Sequence, residues 1–157
     1  TEAKKQRVPI KEQIAGVTWQ KGDAIFNYIW PTDTNYEGNN DSLVLMLTYG
    51  AFKALFTGDL EEEGEQVLIR QEGANIANTD ILKAGHHGSK TSSSEAFIEH
   101  VKPRLTIFMA GKDNRYGHPH VEVVERLKSR NLPFLTTGED GTIEVRMNKQ
   151  RMSVSKQ

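Results

Sequence analysis

Three times between Phe52 and Arg130 a short apolar run gives way to a glycine-bearing polar turn and then to a stretch with helical character. That alternation constrains the fold more than any other feature of the chain. The first unit is Phe52–Phe56, the turn Thr57-Gly58-Asp59-Leu60, and a helix whose first turn is loaded with Glu61, Glu62, Glu63 and Glu65, as the helix dipole favours. The second is a strand over Asp80–Ala84, the turn Gly85-His86-His87-Gly88, a Ser-rich loop, and a helix from Glu95 to Val101 stopped near Pro103. The third is a strand over Leu105–Ala110, a polar loop from Gly111 to Pro119, and a helix from His120 to Arg130 with Val121, Val124 and Leu127 as its buried stripe. Ahead of these units, Val17–Trp30 reads as two short strands broken at Lys21-Gly22-Asp23 and closed by Pro31. After a polar loop over Thr32–Asp41, the run Ser42–Tyr49, buried on both faces, joins Phe52–Phe56 through the two-residue hairpin Gly50-Ala51. Strands near Phe134–Thr136 and Thr142–Met147 finish the chain, with Met152–Val154 returning as an edge ribbon. The expectation is a single-domain α/β layered fold with a mixed sheet, antiparallel at its start.

Composition narrows the function. A chain of 157 residues owns a real core. No stretch approaches the ~20 apolar residues of a membrane span, and Thr1–Arg7 is polar with no apolar signal core behind it. A net charge of −1 gives no global positive field, so any polyanion must be held locally. The absence of cysteine excludes disulfides, thiolate zinc sites and a cysteine nucleophile, which leaves metal chemistry to His, Asp and Glu.

All five histidines lie between His86 and His120, and four fall in or beside loops that follow strands, where α/β folds place ligands. His100 is the exception, a surface residue on a helix. A carboxylate at one strand end and an imidazole at the next can face the same crevice, which makes Asp59 and His86 a candidate cation pair. The plainer alternative for Asp59 is to cap the helix beginning near Leu60. In Gly85-His86-His87-Gly88-Ser89 the glycines permit a sharp turn, while two imidazoles, the Ser89 hydroxyl and Lys90 offer a metal ligand, proton donors and an anion contact. The alternative there is a self-satisfied polar turn. The loop bearing Lys112, Asn114, Arg115, Tyr116, His118 and His120 can hold a phosphate and stack a base, or simply be solvated with His120 opening a helix. Between His100 and Arg130, seven Lys and Arg stand against three Asp and Glu, the one local basic excess.

Four blocks in order, Asn40-Asp41-Ser42-Leu43-Val44, Phe56-Thr57-Gly58-Asp59-Leu60, Leu82-Lys83-Ala84-Gly85-His86-His87-Gly88-Ser89 and Asn114-Arg115-Tyr116-Gly117-His118-Pro119, resemble the metallo-β-lactamase-like domain of the ComEC family of bacterial competence channels. The resemblance covers about Val17 to Val145. It implies the carboxyl-terminal part of an αββα sandwich with a mixed sheet and a site for one or two divalent ions, zinc or manganese. Asp59 would bridge the metals and His86 would supply a ligand. His87 would be the alternative ligand or a partner behind it, and His118 would bind phosphate, donate a proton or bind metal. It further implies metal-dependent hydrolysis of a DNA phosphodiester during competence-linked DNA uptake, with Asp59, His87 and His118 catalytic and Ser89, Lys90, Lys112, Asn114, Arg115 and Tyr116 at the substrate. The implied partners are DNA and the membrane-channel part of the same longer protein, which would sit in the bacterial cell membrane with this domain on its outer side.

Two departures bear on that expectation. The superfamily's His-x-His-x-Asp-His motif does not occur, and Asn39-Asn40-Asp41 stands where a further histidine is expected. The chain is therefore expected to be the later part of a larger protein, weak or inactive by itself, and prone to self-associate through a bare apolar sheet face. The rival functions are a non-catalytic module binding DNA or a partner on the same scaffold, and a secreted phosphodiesterase of the same superfamily.

Overall fold

The computed structural model describes residues 2–9 and 14–157; Thr1, in the polar opening stretch, lies outside them. A short helix α1 (Glu2–Lys5) precedes strands β1 (Thr18–Lys21), β2 (Ala24–Trp30), β3 (Val44–Tyr49) and β4 (Phe52–Phe56). Then come helix α2 (Glu62–Ile76), β5 (Ile81–Lys83), α3 (Glu95–Val101), β6 (Leu105–Phe108), α4 (Val121–Lys128) and β7 (Phe134–Thr136). A one-turn α5 (Thr137–Asp140) and the strands β8 (Ile143–Met147) and β9 (Met152–Lys156) end the chain. Strands β1 to β7 form one seven-stranded sheet in sequence order. It is antiparallel from β1 to β4 and parallel from β4 to β7, the mixed sheet expected of the alternation. No helix among the described residues is long and apolar enough to cross a membrane.

Period-two alternation divides the sheet's two faces. Leu55 and Leu82 point into the core with Trp30, Leu68, Phe97, Phe108 and Leu127, so α2, α3 and α4 all cover one face. Their neighbours Ala54, Phe56, Ile81 and Lys83 face the other way and line an apolar cleft of about 440 Å³, closed from outside by Ile143, Val145 and Met147 of β8. The bare sheet face expected from sequence is thus partly covered by the chain's own final hairpin. That hairpin is a separate two-stranded sheet over the open face, a correction to the edge ribbon expected for Met152–Val154. By the same token β3 is fully buried only at Val44 and Met46, while Leu45 and Leu47 are half-buried beneath the hairpin.

Three further corrections concern helices. Val121 is 67% exposed, whereas Val123 and Leu127 are fully buried. The stripe of α4 therefore runs from Val123 to Leu127 with Val124 half-buried beside it, because His120 precedes the helix as its cap and leaves Val121 on the solvent side of the first turn. Asp59 does not cap α2: Glu61 occupies the cap position and the helix begins at Glu62. His100 is not an idle surface ring, since its Nε2–H donates to the Gly73 carbonyl at 2.9 Å. A Cβ at position 73 would sit 2.9 Å from that nitrogen, so Gly73 lets α2 and α3 close on each other.

Candidate functional site

The parallel strands β4, β5 and β6 end side by side, and each is followed by a turn carrying polar side chains. After β4, Gly58 adopts φ +57°, and a Cβ there would lie 2.8 Å from the Ser42 Cβ, so only glycine fits the approach. The Asp59 N–H donates to Ser42 Oγ at 3.0 Å, which holds the carboxylate at the strand end. After β5, the His86 N–H donates to the Gly58 carbonyl at 3.0 Å and stitches the second turn to the first. His86 and His87 are both left-handed, with φ 44° and 57°. Non-glycine residues in that region carry strain that the surroundings must hold in place. Here Gly85 N–H to Ser93 Oγ at 3.2 Å and Ser89 N–H to the His86 carbonyl at 2.9 Å hold it. Strain of this kind is characteristic of functional turns.

The third turn brings His118 to the same place. Its ring lies 5.7 Å from that of His86, centroid to centroid, and 4.7 Å from that of His120. Burial, then the neighbouring imidazoles of His120, His86 and His87, push the His118 ring below the ordinary histidine range, and the Asp59 carboxylate pulls it partly back. The neutral form of His118 is thereby favoured. Lys83 also feels Asp59: burial lowers its amine, the carboxylate opposes that shift, and Nζ donates to the Gly58 carbonyl at 3.2 Å. Sequence inspection passed over Lys83. The available signal was a lone cation inside the apolar run Ile81-Leu82-Lys83-Ala84.

Hydrogen bonds fix what the other imidazoles can do. His87 Nδ1–H donates to the Met109 carbonyl at 2.7 Å, leaving the Nε2 lone pair free. His120 spends both nitrogens, Nδ1 accepting from Lys90 N–H at 2.9 Å and Nε2–H donating to the Tyr116 carbonyl at 3.1 Å. The Asn39 amide nitrogen meets Glu61 Oε1 at 3.0 Å and His86 Nδ1 at 3.4 Å. A carboxylate only accepts, so that nitrogen is the donor to both, and the His86 proton resides on Nε2. His86 thereby offers an N–H where a metal needs a lone pair. Among the described residues no three His, Asp or Glu side chains are grouped to hold a metal ion. A catalytic zinc takes three protein ligands, and Asp59 with the free nitrogen of His87 falls short of that. A resident zinc or manganese does not fit this donor set.

Of the residues assigned to substrate by sequence, Ser89 is buried with its hydroxyl 3.1 Å from Thr91 Oγ1, while Lys90 and Lys112 are exposed. Asn114 is committed to its own loop. Its Nδ2 donates to the Gly111 and His118 carbonyls at 2.9 and 2.5 Å, and its Oδ1 accepts from Tyr116 and His118 N–H at 3.2 and 3.0 Å. Tyr116 projects from that loop with the Arg115 guanidinium 4.6 Å from its ring centroid. The structure thus gathers Asp59, His86, His87, His118 and Tyr116 at one end of the sheet and turns Ser89 and Asn114 inward.

No family model matches the chain. It is 41% identical over 145 residues to ComE operon protein 3 of Bacillus subtilis (strain 168), covering 92% of this chain and 18% of that protein. It is 33% identical over 144 residues to competence protein ComA of Neisseria gonorrhoeae, 88% of this chain and 21% of the relative. With recombination protein 2 of Haemophilus influenzae it shares 32% over 141 residues, 89% and 17% of the two chains. The chain spans about a fifth of the length of these curated relatives. Over about nine-tenths of its own length it matches a ComEC-like competence domain, the family its four ordered blocks resemble.

Proposed function

We propose that this domain handles DNA in competence-linked uptake and hydrolyses a phosphodiester at the end of the sheet where Asp59, His86, His87 and His118 meet. The observation that carries the proposal is the His118 ring set 5.7 Å from that of His86, where burial and the neighbouring imidazoles disfavour its charged form. A neutral imidazole accepts the proton that a water loses as its oxygen bonds to phosphorus. Asp59 raises the basicity of that ring. The departing oxygen takes a proton from the free nitrogen of His87 when that ring is charged, so one P–O bond forms, one breaks, and the protons balance. In this reading the Nε2–H of His86 and the exposed Lys90, Lys112 and Arg115 hold the phosphate oxygens.

Zinc or manganese on Asp59 and His86 belongs to the proposal only if His86 gives up its Nε2 proton and further ligands are added, and such an ion would supply charge neutralisation at the phosphate. The proposed setting is a longer membrane protein with this domain on its outer side, with the channel portion and a second copy of this chain as further partners. The shortage of grouped metal ligands among the described residues favours one second reading, a module that binds DNA without cutting it.

The test is cleavage of an end-labelled oligonucleotide by the chain, with and without added manganese or zinc, beside Asp59→Ala and His118→Ala. A fall of about a hundredfold in both variants is expected. Unchanged rates would overturn the hydrolytic role, and binding with no cleavage under any metal would select the second reading. Sedimentation of the chain across concentration tests the second copy.

A further inference from the structure

Sharing His87 and His118 with the proposed phosphodiester site is a cleft of about 230 Å³ lined also by Met109, Gly111 and Tyr116. We propose that this cleft is a stacking pocket for one unpaired nucleobase, so that the DNA taken at this end of the sheet is single-stranded or frayed. The proposal rests on the phosphodiester function above and adds its substrate class.

Tyr116 is 59% exposed and Met109 54% exposed, and both line the cleft. The Tyr116 ring carries the Arg115 guanidinium 4.6 Å from its centroid, and the His118 ring runs within 24° of parallel at 5.7 Å. Flat aromatic and guanidinium groups offered together are what stack a base without regard to its identity. The platform is also stiff in advance, because the four hydrogen bonds of Asn114 hold the loop that carries it. Gly111 leaves its part of the wall clear, since a Cβ there would meet nothing within 4 Å. A base inside a duplex has both faces covered by its neighbours, whereas an unpaired base can enter and place its own phosphate against His118 and His86. With the chain's net charge of −1, stacking supplies grip that the global field does not.

The experiment compares anisotropy of a labelled oligothymidine with that of a blunt hairpin duplex, for the unaltered chain, Tyr116→Ala and Tyr116→Phe. It adds the fluorescence of a single-stranded probe containing 2-aminopurine. Expected are tighter binding of the single strand than of the duplex and quenching of 2-aminopurine. Tyr116→Ala should lose on the order of tenfold on the single strand only, and Tyr116→Phe should restore both affinity and quenching. Equal losses on both substrates, or no quenching, would overturn the pocket and leave the hydrolytic function to the Asp59→Ala result. Failure to bind either DNA would overturn both.

Discussion

Lys83 lies on the apolar side of the sheet, its stem in the cleft beneath β8 and its amine on the Gly58 carbonyl beside Asp59. It sets the charge balance of the site from below. Lys83→Met keeps the stem and removes the cation, so stability should change by less than about 1 kcal/mol while DNA cleavage falls about tenfold. An unchanged cleavage rate would show that the amine serves packing alone. His118 supplies the second test at this scale. Its ring titrates below 6.5 because burial and three imidazoles disfavour its charge, and Asp59 offsets part of that. Asp59→Asn should therefore move the His118 midpoint lower still, read by NMR titration; a rise would mean that the carboxylate does not reach the ring. The sign for stability follows. The native ring holds its proton less tightly than the unfolded one, so His118 costs stability as pH falls through the ordinary histidine range and nothing above it. None of these couplings was legible in the sequence, because they depend on which side chains share a dry space, whereas Asp59, His86 and His118 stood out through their glycine-bearing turns.

Among the elements, α2 and α3 are joined by a buried charge-bearing group. Glu65 is fully buried in α2, and its carboxylate accepts the N–H groups of Ser93 and Ser94 at 2.5 and 2.9 Å, at the start of α3. Arg126 of α4 takes the carbonyls of Ser92 and Ser93 at 3.2 and 3.0 Å. The Ser-rich loop behind His86 and His87 is therefore clamped from two helices, which is how two left-handed histidines stay in place. Glu65→Ala strands two buried N–H groups and should cost about 3 kcal/mol by denaturant melts. A loss under about 0.5 kcal/mol would mean that water takes over both bonds. Burial raises the Glu65 carboxyl above its usual 4.5 despite those hydrogen bonds. The native state then keeps the proton that the unfolded chain has lost, and this residue's contribution to stability declines as pH rises from 4.5. Helix existence was readable from the acidic first turn and the Pro stop, but the extent of α2 to Ile76 was not. Gly73 is a poor helix former, and what carries the helix past Arg70 is the approach of His100 on α3.

For the whole molecule, the decisive asymmetry is that three helices seal one sheet face while a single hairpin shelters the other. Alternation in the strands made the mixed sheet legible. It could not say what covers the second face, because β8 and β9 have no strand pairing to the main sheet and meet it through side chains such as Ile143, Val145 and Met147. The hairpin is tethered at its turn by Lys149 to Asp23 at 2.9 Å and at its base by Lys156 to Asp140 at 2.8 Å. The Lys149 pair is exposed on both sides and contributes little, while in the Lys156 pair the Asp140 side chain is mostly covered. Its hold on the sheet face is the apolar contact, and Val145→Asp tests that directly by placing a charge against Phe26, Leu47 and Ile107. The hairpin should detach while the helix-covered core and the His118 environment persist. The expected result is an earlier melting step, dye binding to the opened face and concentration-dependent self-association by light scattering. A variant that stays monomeric, binds no dye and melts in one unshifted step would show that the apolar cleft contributes nothing to holding the hairpin.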